Sequence, residues 1–163
     1  NGELKAYRLP SGRIKILRSD FLLYLQENDL YVDNDYFKNG VKKIVVIDDN
    51  EQIFDLFKSF FHNINSELNV EYASDGISGL LAIGSIKADI VILDIEIPGM
   101  NGIEVCKKLL SDESLSGIKI VLISGHLKKY KDEIKDLEIA SAIEKPFRLK
   151  DLENKLLPLI NEK

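Results

Sequence analysis

Residues 88–102 read Ala-Asp-Ile-Val-Ile-Leu-Asp-Ile-Glu-Ile-Pro-Gly-Met-Asn-Gly. The run Asp89 to Leu93 has the unbroken apolar character of a parallel strand buried on both faces. It delivers one carboxylate, Asp94, to a loop at its C-terminal end. Open α/β sheets bind ligands in the crevice outside those ends, so Asp94 stands where such folds do their chemistry. An Asp after an apolar strand ordinarily just starts a turn, but Asp94 has company.

An earlier apolar strand, Lys43 to Ile47, ends in Asp48-Asp49, and a later one, Lys119 to Ile123, ends in Ser124-Gly125. A further short strand, Ile139 to Ile143, leads into Glu144, Lys145 and Pro146. If these strands lie parallel in one sheet, all of these polar groups meet at one edge. Crowded carboxylates repel one another unless a cation or protonation relieves them. An all-oxygen cluster suits a hard ion, and one that keeps waters and also meets phosphate oxygens is typically Mg²⁺.

The acidic pair Asp48-Asp49, Asp94 followed by Ile97-Pro-Gly-Met-Asn-Gly102, Ser124-Gly125 and Lys145-Pro146-Phe147 together resemble the receiver domain of two-component response regulators, the CheY-like family. The resemblance runs from about Lys42 to Leu159, with four separated motifs in the family's order.

Composition sets bounds of its own. With 163 residues, 45% hydrophobic and 30% charged, the chain reads as a soluble globular domain with a small appendage. Its longest apolar runs are strand-sized, no signal peptide is visible, and no membrane partner is expected. The single cysteine, Cys106, cannot form an internal disulfide and falls in an amphipathic helix as a packing residue, in keeping with a cytoplasmic protein. The chain begins Asn-Gly without a Met and so reads as a piece or a processed form. Net charge is −5, yet residues 1–28 hold five bases (Lys5, Arg8, Arg13, Lys15, Arg18) against three acids (Glu3, Asp20, Glu27), a local +2 that leaves −7 for the rest. The asymmetry points to two functional parts.

In the first part, 1–28, Lys5-Ala-Tyr-Arg-Leu and Arg13-Ile-Lys-Ile-Leu are strand-like runs separated by the turn signal Pro10-Ser-Gly12. Ser19 is placed to cap a helix through Asn28 with Phe21, Leu22 and Leu25 on one face. The pattern resembles the wing and following helix of excisionase and MerR-like helix-turn-helix domains, without the recognition helices that precede the wing in that family. Arg8, Arg13 and Lys15 would then meet phosphates and add a salt-sensitive, sequence-independent term to DNA binding. The bland alternative is a solvated hairpin face. Residues 29–41 read as a linker, packed through Tyr31, Tyr36 and Phe37.

From 42 to 163, strands alternate with helical patterns, the sign of a parallel sheet with helices on both faces. Asn50 caps a helix carrying Ile53, Phe54, Phe57, Phe60, Phe61 and Ile64, with His62 as a surface or packing residue. Asn69 to Ala73 forms a second strand, and helices are expected at Gly76–Ile86, from Gly102 to about Leu110, near Leu127–Leu137 and at Leu149–Ile160. Five strands and five helices fit an α/β, doubly wound, flavodoxin-like sheet of order 2-1-3-4-5.

The resemblance implies specific roles. Asp94 would be the nucleophile that takes a phosphoryl group from a phosphohistidine donor on a sensor histidine kinase or phosphotransfer protein. Asp49 and Asp94 would hold Mg²⁺ directly, Asp48 through water, and Glu96 through its backbone carbonyl. Lys145 would pair with phosphoryl oxygens, the Ser124 hydroxyl would bond another, and Pro146 would follow a cis bond that aims the lysine. Glu96 and His126 stand where the family tunes access of water to the aspartyl phosphate. One departure is plain: the family usually has Tyr or Phe three residues before the lysine as a rotating switch, and this chain has Ala142.

Three classes are weighed. The first is a regulator whose phosphorylation switches DNA binding and transcription, through a complete N-terminal domain. The second is a stand-alone receiver for protein contacts or phosphorelay. The third, an enzyme such as a Mg²⁺-dependent phosphatase, is set aside, because that class commonly needs an Asp two residues after its nucleophile, where this chain has Glu96. A homodimer through the face of the helices that follow the fourth and fifth strands stays open.

Overall fold

The computed structural model describes residues 3–8, 12–30, 41–64 and 68–162, with the side chain of Arg18 left aside. The chain divides into two compact units, Asn1–Val41 and Lys42–Lys163. Among the described residues no helix is long and apolar enough to cross a membrane.

In the first unit, β1 (Tyr7–Arg8) pairs antiparallel with β2 (Ile14–Lys15), placing Tyr7 opposite Lys15 and Arg8 opposite Ile14. The helix α1 (Arg18–Glu27) follows. It begins before Ser19, because the Phe21 amide closes the first turn on the Leu17 carbonyl at 3.0 Å, so Ser19 lies inside the helix and does not cap it. Asn28 ends it, donating through Nδ2 to the Tyr24 carbonyl at 2.7 Å. Pro10 and Ser11 of the turn, and Tyr31, Tyr36 and Phe37 of the expected linker packing, lie outside the described residues.

The second unit is built on β3 (Lys42–Ile47), β4 (Leu68–Ala73), β5 (Ile90–Asp94), β6 (Lys119–Ser124) and β7 (Ser141–Glu144). They form one parallel sheet in the order β4-β3-β5-β6-β7, which is the expected 2-1-3-4-5. Strict alternation along the strands divides the core into two layers. Val45, Ile47, Val91, Leu93, Ile120 and Leu122 face one cluster, together with Ile83 of α3 (Gly76–Ile86) and Val105, Cys106 and Leu109 of α4 (Gly102–Ser111). Ile44, Val46, Ile90, Ile92, Val121 and Ile123 face the other, with Phe57, Phe60 and Phe61 of α2 (Glu51–His62) and Leu152, Leu156 and Ile160 of α6 (Leu149–Asn161). Full burial of each such Val, Leu, Ile or Phe side chain stabilises by about 1.5–3 kcal/mol, so a sheet covered on both faces fixes the register of all five strands. His62 is exposed.

Three helices leave the carboxyl edge of the sheet through side-chain caps. Asn50 Oδ1 accepts from the Gln52 amide at 2.9 Å, Asp75 Oδ1 from the Ile77 and Ser78 amides at 2.9 Å each, and Asn101 Oδ1 from the Ile103 amide at 2.8 Å. The caps place helix N-termini, with their partial positive charge, along that edge. Two glycines shape the loop between β5 and α4. Gly99 has φ +82°, a conformation L side chains rarely adopt. Gly102 packs α4 directly against the end of β5: a Cβ there would collide with the Asp94 carbonyl oxygen and come within 2.8 Å of Ile95 Cα.

The strand ends differ slightly from the sequence reading. Asp94 is the last residue of β5, aligned with Ile123, and Ser124 ends β6. β7 starts at Ser141, because the Ile139 amide turns back to the Leu137 carbonyl at 2.9 Å. The larger correction concerns Leu127–Leu137, expected as one helix. It is a 3₁₀ turn, Leu127–Tyr130, followed by a single α-helical turn, α5 (Lys131–Ile134). Lys128, Lys129 and Lys131 crowd its N-terminal end, where the helix dipole opposes positive charge, and His126 supplies no side-chain cap. Leu127 and Tyr130, three residues apart, meet the core at the 3₁₀ period.

Candidate metal centre at the carboxyl edge of the sheet

The ends of β3, β5, β6 and β7 bring the expected polar residues to one place. Asp48 is fully buried and Asp94 is 5% exposed, whereas Asp49, beside them, is exposed. One carboxylate oxygen from each lies within 4.8 Å of the other two. Lys145 Nζ reaches across from the end of β7 and donates to Asp48 Oδ2 and Asp94 Oδ2, both at 2.7 Å. The remaining oxygens are held by the backbone: Asp48 Oδ1 accepts from the Asn50 amide at 3.0 Å and Asp94 Oδ1 from the Glu96 amide at 3.3 Å.

Ser124, fully buried, organises the far wall. Its Oγ accepts from the His126 amide at 3.0 Å, and its carbonyl accepts from the Lys145 amide at 2.8 Å. The Lys145-Pro146 bond is cis. Ala142 is half-buried and packs against the core cluster that contains Tyr130.

Charge dominates this site. Three carboxylates face one ammonium, and two like charges about 4 Å apart repel by about 4 kcal/mol at an effective dielectric constant near 20. Burial pushes the Asp48 carboxyl above its ordinary range, against the downward pull of Lys145 and the Asn50 amide. For Lys145 burial acts downward, but its hydrogen bonds to Asp48 and Asp94 outweigh it and hold the ammonium above its ordinary range. A cluster of carboxylate oxygens with a net negative charge and no nitrogen or sulfur donor fits a hard divalent cation such as Mg²⁺.

At the mouth, the Glu96 carboxylate gathers a second group of contacts. His126 Nδ1 lies 2.7 Å from Glu96 Oε2, while Lys129 Nζ at 3.3 Å and the Tyr130 hydroxyl at 3.1 Å donate to Glu96 Oε1. The His126 contact, followed by those from Tyr130 and Lys129, draws the Glu96 carboxyl down to about 2. The sequence reading singled out Glu96 and His126 but passed over Lys129 and Tyr130. An aromatic hydroxyl inside a lysine-rich turn beside a functional edge was the available signal.

Comparison with known proteins agrees with the fold. Residues 44–157 match the model of the response regulator receiver domain. The DNA-binding response regulator MtrA of Mycobacterium tuberculosis is 32% identical over 113 residues, 68% of this chain and 47% of MtrA. The chemotaxis protein CheY-3 of Vibrio cholerae is 28% identical over 119 residues, 72% of this chain and 91% of CheY-3. The chain thus spans about half the length of the MtrA relatives it matches. Among solved structures, CheY4 of Vibrio cholerae superposes with a TM-score of 0.65 at 23% identity, covering 73% of this chain and 98% of that one. The receiver domain of the sensor histidine kinase PA1611 from Pseudomonas aeruginosa, solved with a magnesium ion in its active-site cleft, gives 0.65 at 16% identity over 75% of this chain and 99% of that one. With the receiver-domain match covering most of its length, the chain belongs to the response regulator receiver domain family.

Proposed function

We propose that this chain is a phosphorylation-controlled receiver in which Asp94 accepts a phosphoryl group from a histidine kinase or phosphotransfer protein, and that the protein it serves responds by binding DNA. The observation that carries the reading is the Asp94 carboxylate, nearly buried, gripped by Lys145 at 2.7 Å and grouped with Asp48 and Asp49. Receiver domains bind Mg²⁺ at an acidic pocket and work with histidine kinases or phosphotransfer proteins as signalling modules.

In this reading an Asp94 carboxylate oxygen attacks phosphorus, the P–N bond of the phosphohistidine breaks, and the imidazole leaves with the electron pair. Asp49 and Asp94 would hold Mg²⁺ directly, Asp48 would help through water, and the Glu96 backbone carbonyl would complete the protein ligands. When bound, the ion offsets carboxylate repulsion and steadies charge on the transferring oxygens. Lys145 moves its point charge onto the phosphoryl group as that group forms, and the Ser124 hydroxyl bonds another oxygen. Such a receiver works in the cytoplasm, where kinases find ATP.

The DNA-binding output is supported by the MtrA relatives, named DNA-binding response regulators, and by the first unit of this chain. Its hairpin carries the exposed Arg8 and Arg13 and leads into α1, in the manner of a wing followed by a helix. A second reading, a stand-alone receiver for protein contacts or phosphorelay, is favoured by the near-complete coverage of CheY-3. The test of output is fluorescence anisotropy of duplex DNA titrated with the whole protein, phosphorylated and unphosphorylated, at several salt concentrations. Phosphorylation is expected to change the affinity, with binding weakening linearly in log[salt] as phosphate contacts require. No affinity for DNA in either state would hand the output to the second reading. Sedimentation of the same samples reads whether a homodimer accompanies the switch.

A further inference from the structure

The acidic edge is tied to the turn Leu127–Tyr130 at two points. Ser124 Oγ holds the His126 amide at 3.0 Å, at the start of the turn, and the Glu96 carboxylate holds the Tyr130 hydroxyl at 3.1 Å, at its end. Glu96 is in turn fixed to the site, since its amide donates to Asp94 Oδ1 at 3.3 Å. A continuous path therefore runs from Asp94 through Glu96 to the Tyr130 ring.

The three partners of Glu96 are not equivalent. The His126 and Lys129 side chains are 67% and 65% exposed, so their contacts with Glu96 are screened by solvent and hold it weakly. Tyr130 is only 7% exposed and its ring sits in the core cluster against which Ala142 of β7 packs. Its hydroxyl cannot follow Glu96 without moving the ring, and the ring cannot move without moving the turn. Tightly packed interiors transmit small displacements for this reason.

We infer that Glu96 and Tyr130 form a clasp through which the state of Asp94 is read on the surface of Leu127–Tyr130 and Lys131–Ile134. The inference rests on the phosphoryl-accepting role of Asp94 and names the regulation of that site. A group added at Asp94 competes for the Glu96 amide that now bonds Asp94 Oδ1 and shifts Glu96. The Glu96 carboxylate then releases or reseats the Tyr130 hydroxyl, and the turn, which receives no side-chain cap from His126 and runs on into only one α-helical turn, changes its opening equilibrium. Tyr130 is a positioning residue in this scheme; it touches no reacting atom.

The test is amide hydrogen exchange across residues 125–144 of the whole chain with Mg²⁺, with and without beryllium fluoride as a phosphoryl mimic, beside Tyr130→Phe. The substitution keeps the ring and removes only the hydroxyl. In the unsubstituted chain, exchange in residues 126–134 is expected to change by about fivefold or more, the lower end of typical site-to-site coupling. In Tyr130→Phe the mimic still binds, read by intact mass under native conditions, but the change in 126–134 falls to less than about twofold. A turn that does not respond in the unsubstituted chain, or responds equally in Tyr130→Phe, overturns the clasp alone. An unsubstituted chain that takes up no mimic overturns the phosphoryl-accepting role and the clasp with it.

Discussion

Gly102→Ala is expected to destabilise the receiver unit by about 3 kcal/mol, the upper part of the usual range for overpacking. The added Cβ would meet the Asp94 carbonyl oxygen, Ile95 Cα and, at 3.0 Å, the Asp94 carbonyl carbon, all of them backbone atoms that cannot swing aside. Relief requires α4 to lift from the end of β5, which moves the residue on which the site depends. Gly84→Ala is the control. Gly84 lies in α3 with nothing within 4 Å of an added Cβ, so the same chemical change there is expected to stabilise by about 0.5–1 kcal/mol through helix propensity. Urea unfolding of the two variants reads both signs. Equal behaviour of the two would contradict the close approach at Gly102.

The second large effect is expected from Lys145→Met. In metal-free buffer at neutral pH it should cost about 3–5 kcal/mol, the usual loss when one partner of a buried ion pair is removed and its charge is left uncompensated. Here two buried carboxylates, Asp48 and Asp94, lose the ammonium they share. The pH dependence follows from the two shifts. The Lys145 pKa is raised by folding, so its contribution is fully present at pH 7 and is lost only as pH rises through its folded value. The Asp48 pKa is also raised, so the folded state holds that proton more tightly than the unfolded chain, and acidification favours folding at this group. The deficit of Lys145→Met should therefore shrink as pH falls into the carboxylate range. Added Mg²⁺ should recover about 2.7 kcal/mol at a hundred times its Kd, because it binds the folded state and supplies the missing positive charge. A variant as stable as the parent without metal would show that Lys145 does not balance these carboxylates.

How much of this was legible beforehand depends on the range of the interactions involved. The three inner strands β3, β5 and β6 announce themselves by their buried apolar runs, and Asp48, Asp94 and Ser124 each end or follow one of them, whereas the edge strands β4 (Leu-Asn-Val-Glu-Tyr-Ala) and β7 (Ser-Ala-Ile-Glu) are mixed and only partly buried. Parallel pairing does the rest, carrying residues far apart in the chain to one edge. The 3₁₀ turn at Leu127–Tyr130 was not legible, since the spacing of Leu127, Tyr130, Ile134 and Leu137 suits a helix and only the clustered lysines argue against one. The bond from Tyr130 to Glu96 depends on where that turn settles, 34 residues along the chain, and no local pattern encodes it. In the first unit β1 and β2 have two residues each, so little buried surface specifies them, and the helix starts ahead of the expected cap Ser19.

The account stands or falls on whether Asp94 takes a phosphoryl group. Intact mass spectrometry of the chain after incubation with acetyl phosphate and Mg²⁺, beside a metal-free sample and Asp94→Ala, measures this directly. The predicted result is one added phosphoryl group in the unsubstituted chain with metal, and none in the other two samples. An unsubstituted chain that stays at its starting mass, or an addition that persists in Asp94→Ala, would contradict it.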